Sequence, residues 1–394
     1  MKRVVFCWEL GGNYGHITGF IGLAQNFKVR GCEVVFVLRN LQYASLLGDG
    51  VICVQAPIPN FIPHQRDNYS YTGILASIGY QDKTVLADYV GAWRNLLLEL
   101  KADLMIADHA PTAILAARTL ALPVAIIGTG FVIPPFDSAF PLFIANLPEP
   151  DAGLDARVLA NINYVMQVFS GEPLVSLGDI FGGAESYLCT FPELDHYGQR
   201  TDEDYWGPLF SANSGENYEW PDGASHCVFA YLTPKLKHLA QAVAAIAQLP
   251  GHKLVHIPGL TTDQLNAFSI YDLSIATSPV NMDSVLHKAD LIISQGGMGM
   301  SSLCALAGNR HVILPTQMEQ TMLARRLSSM GLAYAASAEA SLDDYFAVFS
   351  KALGCELLAK NSQLLAQKYQ GFSQDEQLEA LTEDMLDLLL PSGE

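Results

Sequence analysis

Basic side chains are scarce in this 394-residue chain: 22 Lys and Arg stand against 40 Asp and Glu, a formal net charge of −18 at pH 7. So negative a surface repels nucleic acid and anionic lipid, and neither is expected as a partner. Charge of either sign is sparse at 16% of residues, while 50% are hydrophobic. That balance excludes a disordered chain and suits large buried sheets. No uninterrupted apolar run reaches the roughly 20 residues of a membrane span. Met1-Lys2-Arg3 leads only into the short run Val4-Val5-Phe6-Cys7-Trp8, without the longer apolar stretch and cleavage site of a secretory signal. The seven cysteines are scattered, odd in number and without a C-x-x-C pair, so no disulfide framework and no zinc site is expected. They read as small buried hydrophobes in a reduced cytoplasm.

What is present is a strand–helix alternation. Val4–Trp8 ends at a Gly-rich turn, Gly11-Gly12-Asn13-Tyr14-Gly15, and Ile17, Phe20, Ile21, Ala24 and Phe27 follow at helical spacing before the stop at Gly31. Val34–Leu38 is the next buried strand, and Leu104–Ala107 and Val124–Ile127 repeat the theme. Apolar strands joined through helices mean parallel βαβ units, a Rossmann-like α/β domain. Asp202–Gly223 is polar and rich in Gly and Pro, the best linker. Beyond it the alternation resumes at Cys227–Ala230, Lys253–Ile257, Leu291–Ile293 and His311–Leu314. A chain of this length exceeds one hydrophobic core. Two domains are therefore expected, 1–206 and 207–394, the second closed by an amphipathic helix at Leu378, Leu381, Met385, Leu388 and Leu389.

The sharpest motif is Ser294-Gln295-Gly296-Gly297-Met298-Gly299-Met300-Ser301-Ser302, which follows the strand Leu291–Ile293 and opens a helix. Glycines permit positive φ and close approach of the backbone, and the free amides of a helix start bind anions such as a diphosphate. Ser301 or Ser302 would add a hydroxyl donor. A tight turn packed for steric reasons is the plainer alternative. Further on lies Pro315-Thr316-Gln317-Met318-Glu319-Gln320, where Thr316 and Glu319 also fit a capping box.

Together, Pro279-Val280-Asn281-Met282 through Arg325-Arg326-Leu327 resembles the donor signature of family 1 glycosyltransferases, the UDP- or dTDP-sugar enzymes of bacterial antibiotic type. The resemblance implies a GT-B architecture, two Rossmann-like domains with parallel sheets facing a central cleft. It further implies a nucleotide sugar as donor substrate with no cofactor, the diphosphate on Gln295, Gly296, Gly297, Gly299, Ser301 and Ser302. By the same resemblance Glu319 and Gln320 bind the sugar hydroxyls and the backbone at Pro279 and Val280 meets the base. One position departs: the family places His where this chain has Gln295, and an amide donates a hydrogen bond without becoming cationic.

Transfer to a hydroxyl requires a general base. His16 lies at a helix start after the first strand, on the carboxyl edge where open α/β sheets bind ligands, and titrates near neutrality. Asp108 ends the strand Leu104–Ala107 on the same edge. In the family the equivalent His is the base and such an Asp orients it. The plainer alternatives are a solvated His16 and an Asp108 that caps the turn before Pro111, with Glu9 as reserve base. The first turn is G-G-x-x-G-H rather than G-x-G-x-x-G, and strand two ends at Arg39 rather than an acid, which counts against NAD. The loops Asn60–His64, Tyr69–Tyr71 and Phe131–Phe143 are the expected acceptor surface, for a small molecule or a protein side chain. Asp202-Glu203-Asp204 contains a D-x-D, but in a linker it reads as solvated charge, and no metal is expected.

Overall fold

The computed structural model describes residues 1–12, 15–48, 50–59, 69–135, 139–145, 147, 151–211 and 215–390, with Gly15 and His16 described in backbone only. The chain forms two compact units: Met1–Thr190 with Arg200–Leu209 and Ser373–Glu394, and Phe191–Gln199 with Phe210–Phe372.

In the first unit six parallel strands are ordered β3-β2-β1-β4-β5-β6. They are β1 (Arg3–Trp8), β2 (Glu33–Leu38), β3 (Ile52–Gln55), β4 (Leu104–Asp108), β5 (Val124–Gly128) and β6 (Glu185–Leu188). β1 and β4 are central and lose nearly all exposure on both faces, which is why they read as unbroken apolar runs rather than alternating ones. On one face Phe6 stacks on Phe36 with ring centroids 4.7 Å apart and 12° between planes, beneath the Ile21–Val29 helix, which buries Leu23, Ala24 and Phe27.

The closing helix, Gln374–Asp387, also covers this core through Leu378, Leu381 and Met385. The sequence grouped it with the second domain; the structure groups it with the first. Gly22 explains the fit, because a Cβ there would meet Leu378 Cδ1 at 2.6 Å. The missing side chain opens the groove that the helix fills, and Tyr187 Oη donates to Asp384 at 2.6 Å along the same contact. Periodicity marks an apolar stripe but not the partner that it covers.

The second unit repeats the plan: β7 (Cys227–Tyr231), β8 (His252–His256), β9 (Ser274–Ala276), β10 (Leu291–Ser294), β11 (Arg310–Ile313) and β12 (Tyr334–Ala335), all parallel in the order β12-β11-β10-β7-β8-β9. Counted from its own first strand this is the same 3-2-1-4-5-6 order as in the first unit. Strand order therefore reverses between β1 and β4 in one unit and between β7 and β10 in the other. Ligands of open α/β sheets bind outside the carboxyl ends of the strands at such points. Among the described residues no helix is long and apolar enough to cross a membrane.

Candidate active site

In the first unit Asp108 is the last residue of β4 and the register partner of Trp8 at the end of β1. It is 6% exposed. Gly128 ends β5 beside it, and a Cβ on Gly128 would meet Val132 Cγ2 at 2.2 Å; the bare backbone there leaves room for Val132. His16 lies in the Gly15–Thr18 helix on the turn that leaves β1, its side chain outside the described residues. The β1 turn and Asp108 thus share the switch point. Glu9, the reserve base, is 1% exposed, and its carboxylate accepts from Thr112 N, Thr112 Oγ1 and Ala113 N. It caps the Pro111–Arg118 helix, the role weighed for Asp108, and is withdrawn as a base. Arg39, which follows β2, donates from Nη1 to the Glu9 carbonyl at 2.6 Å.

In the second unit β10 ends at Ser294, and Gly296 takes φ +80. Its Cβ would sit 2.5 Å from Ile313 Cγ2, so both conformation and space require glycine. Gly297 follows as N-cap of the Met298–Ala307 helix, with nothing within 4 Å of a built Cβ. The first amide of the helix to bond back is that of Ser301, to the Gly297 carbonyl at 3.0 Å. The amides before it have no carbonyl of the same helix to bond back to, as at any helix start. Beneath the turn, Ser294 Oγ accepts from Gly296 N at 3.0 Å and lies 2.8 Å from His311 Nε2. Burial pushes the His311 imidazole down to about 3. The ring is therefore neutral, and its Nε2 shares a hydrogen bond with the Ser294 hydroxyl.

Three expected contacts change. Gln295 is 8% exposed, and in the orientation that satisfies its amide, Nε2 donates to the Tyr231 carbonyl and Oε1 accepts from Thr233 N, both at 3.2 Å. The side chain ties the exits of β10 and β7 together. Ser302 Oγ donates to the Met298 carbonyl at 2.8 Å, and Ser301, 2% exposed, lines a small internal cavity with Asn309, His311 and Ser362. Both hydroxyls are turned inward, which corrects their expected place on a diphosphate. Gln317, not Thr316, is the N-cap of the Met318–Ser329 helix, and Gln320 rather than Glu319 reaches back, its Oε1 accepting from Thr316 N at 2.8 Å and Thr316 Oγ1 at 3.0 Å. Glu319 is left out of the cap, with Oε1 3.9 Å from Nε2 of the buried His196. The Pro279 carbonyl accepts from Glu216 N at 2.8 Å, and Val280 is 8% exposed.

No protein-family model matches the chain, and no curated protein matches it in sequence. Solved structures do match over its whole length. The calicheamicin glycosyltransferase CalG4 superposes with a TM-score of 0.73 at 15% identity, covering 99% of this chain and 100% of its own. Glycosyltransferase VinC, solved in complex with dTDP, gives 0.67 at 14%, covering 98% and 99%. A spinosyn rhamnosyltransferase complexed with the spinosyn aglycone gives 0.66 at 17%, covering 97% and 100%. The fold is GT-B. At these identities the likeness is one of fold.

On this GT-B frame the structure draws attention to residues that the sequence did not single out. His109, directly after Asp108, has φ +46 and is 7% exposed. Its ring packs 6.0 Å from Phe131, edge-on, and 5.9 Å from Tyr71. A left-handed non-glycine residue stores strain that the surroundings must hold, and no spacing rule signals it. Tyr71, Phe140 and Phe181 form one buried cluster, so these parts of the expected acceptor loops are packed together. Asn60–His64 and 136–138 lie outside the described residues. Tyr231 and His256, register partners, stack at 5.6 Å and 18°. His256 Nδ1 donates to the Ala276 carbonyl at 2.9 Å, which leaves Nε2 as the free ring position. Asp202 and Asp204 are exposed, and among the described residues no three His, Cys, Asp or Glu gather as metal ligands.

Proposed function

We propose that the chain transfers a sugar from a UDP- or dTDP-sugar to an acceptor hydroxyl, with inversion and without a metal. The observation that carries this is the β10 exit: a left-handed Gly296 and an open Gly297 that lead straight into the start of the Met298–Ala307 helix. Such a helix start offers fixed positive potential to the departing diphosphate, in place of a cation, despite the negative net charge. Glu319 and Gln320 reach the sugar hydroxyls, and the Pro279–Val280 backbone meets the base. His16 takes the acceptor proton while Asp108 holds its tautomer and steadies the imidazolium, as carboxylates do in hydrolytic triads. VinC, solved with dTDP, and the spinosyn enzyme, solved with an aglycone, support a nucleotide donor and a small-molecule acceptor. The seven free cysteines fit a cytoplasmic setting.

A thermal-shift panel of nucleoside diphosphates and their sugars tests the reading. A bound donor at 100 times its Kd adds about 2.7 kcal/mol of stability, and the ranking names base and sugar. No shift with any of them would sink it. A second reading, a nucleotide-sugar binder without turnover, is favoured by one observation: Gln295 is spent on the Tyr231 and Thr233 backbone rather than presented as a cation. Tight binding of donor without product on any acceptor selects it, whereas epimerised or hydrolysed donor in the absence of acceptor selects a GT-B epimerase or hydrolase.

A further inference from the structure

Glu9 is a buried ionisable group at the first switch point that the proposed chemistry does not use. The Pro111–Arg118 helix has no side-chain cap of its own: Ala110 is the N-cap, and Pro111 at N1 has no N–H. Glu9 supplies the cap from the end of another strand, accepting from Thr112 N at 2.8 Å, Ala113 N at 3.3 Å and Thr112 Oγ1 at 2.6 Å. One residue on, Leu10 N donates to the His109 carbonyl at 3.0 Å. The exit of β1, which leads to His16, and the exit of β4, which carries Asp108, are stitched through backbone and side chain together.

We propose that Glu9 is a positioning residue: its carboxylate, held on the Pro111–Arg118 helix start, fixes the β4 exit bearing Asp108 against the β1 turn bearing His16. This rests on the His16–Asp108 reading. A negative charge suits the place, because the helix start and three donors converge on it. Burial nevertheless raises Glu9 to about 7, against the pull of its hydrogen bonds to Thr112, Tyr89 and Ala113. The groups that face it are Tyr89 from the Lys83–Leu100 helix, Cys7 from β1, and Arg39 after β2 on its carbonyl. Tyr80 sits behind Thr112, whose hydroxyl it meets at 3.0 Å. Since Thr112 Oγ1 gives its proton to Glu9, Tyr80 is the donor to Thr112. Burial raises Tyr80, Tyr89 and Cys7 further from ionisation. Glu9 is thus the member of this cluster that changes charge near neutrality, and with it the strength of the tie.

Glu9→Gln is the neutral isostere and mimics the protonated acid. Turnover of Glu9→Gln and wild type is expected to agree within about two-fold at pH 6 and to diverge by about ten-fold at pH 8.5, with donor KM unchanged, as a slightly misplaced catalytic pair would give. Any pH response common to both proteins cancels, so the ratio isolates Glu9. A ratio constant across pH, or parity at pH 8.5, overturns the proposal. Thr112→Val keeps the carboxylate but removes its shortest donor, and should move the acid limb of kcat to higher pH; an unmoved limb counts equally against Glu9, even where Glu9→Gln folds poorly. His16→Ala run alongside separates the two failures. An active His16→Ala breaks the base reading, whereas an inactive one beside a flat Glu9→Gln ratio breaks the positioning role alone.

Discussion

At the exits of β1 and β4 the first unit buries carboxyl groups, Glu9 and Asp108; at the exits of β7 and β10 the second buries an amide and a hydroxyl, Gln295 and Ser294, the hydroxyl against the neutral imidazole of His311 from β11. One strand order thus frames two chemically different sets of side chains. A site that moves a proton needs groups whose charge can change, and the first switch point has them. A site that holds an anion through a reaction needs donors whose charge does not change, and the second is made of backbone amides braced from below. The sharpest way to break this contrast is at the first switch point. His16→Ala should lower turnover by about 10²–10⁴-fold and Asp108→Asn by at least about 10², the range for loss of a positioned base or its orienting partner. Nucleotide affinity, measured by calorimetry, should not move. A large loss of affinity in either variant would mean that the two units do not divide the labour in this way.

The converse experiment is at the turn of the second. Gly296→Ala places a side chain at φ +80 and within 2.5 Å of Ile313 Cγ2. The strain and overpacking should cost about 1–3 kcal/mol of stability, read as a lower unfolding midpoint, together with loss of nucleoside diphosphate binding. Gly297→Ala, where a built Cβ meets nothing within 4 Å, is the control and should fold normally. Equal behaviour of the two variants would show that neither conformation nor close packing sets this turn.

A smaller effect contrasts the units in pH. Burial favours the neutral form in both, but with opposite signs. Glu9, raised to about 7 from 4.5, binds its proton more tightly in the folded state, so its contribution to stability declines as pH rises from about 4.5 through 7. His311, lowered from 6.5 to about 3, takes up its proton more readily when unfolded, so stability is lost as pH falls from about 6.5 towards 3. Glu9→Gln should therefore remove a downward slope of the midpoint between about pH 4.5 and 7, and His311→Gln an upward slope between about pH 3 and 6.5. If either variant removed the slope assigned to the other, the assignment would fail.

Local pattern made much of this legible. Apolar runs marked the central strands, and the Gly-Gly turn after Leu291–Ile293 located the second switch point because a helix start after a buried strand leaves few alternatives. What stayed hidden was set by partners distant in sequence. Glu9 caps a helix 103 residues away, Gln377 of the closing helix bonds back to Gly207, and the fate of Ser301 and Ser302 depended on which face of their helix was covered. The cap at Thr316 illustrates the margin of local rules: shifting the N-cap by one residue moved the reciprocal bond from Glu319 to Gln320.

Gln295→His tests the contrast most finely, since it gives the second switch point the titratable group that it lacks. The imidazole loses at least one of the two backbone bonds to Tyr231 and Thr233, a cost of about 0.5–1.5 kcal/mol for each bond. Near a bound diphosphate it would gain a proton and a charge-assisted hydrogen bond of about twice the usual strength. At high pH, where the ring is neutral, only the cost remains; at low pH, where the ring is charged, the gain offsets it and favours binding. Diphosphate affinity of Gln295→His should thus rise a few-fold from pH 8 to pH 6, while wild type, with a non-titrating amide, changes less over that range. Unchanged pH dependence would place position 295 away from the phosphates, and its amide would then be a strut for the turn and nothing more.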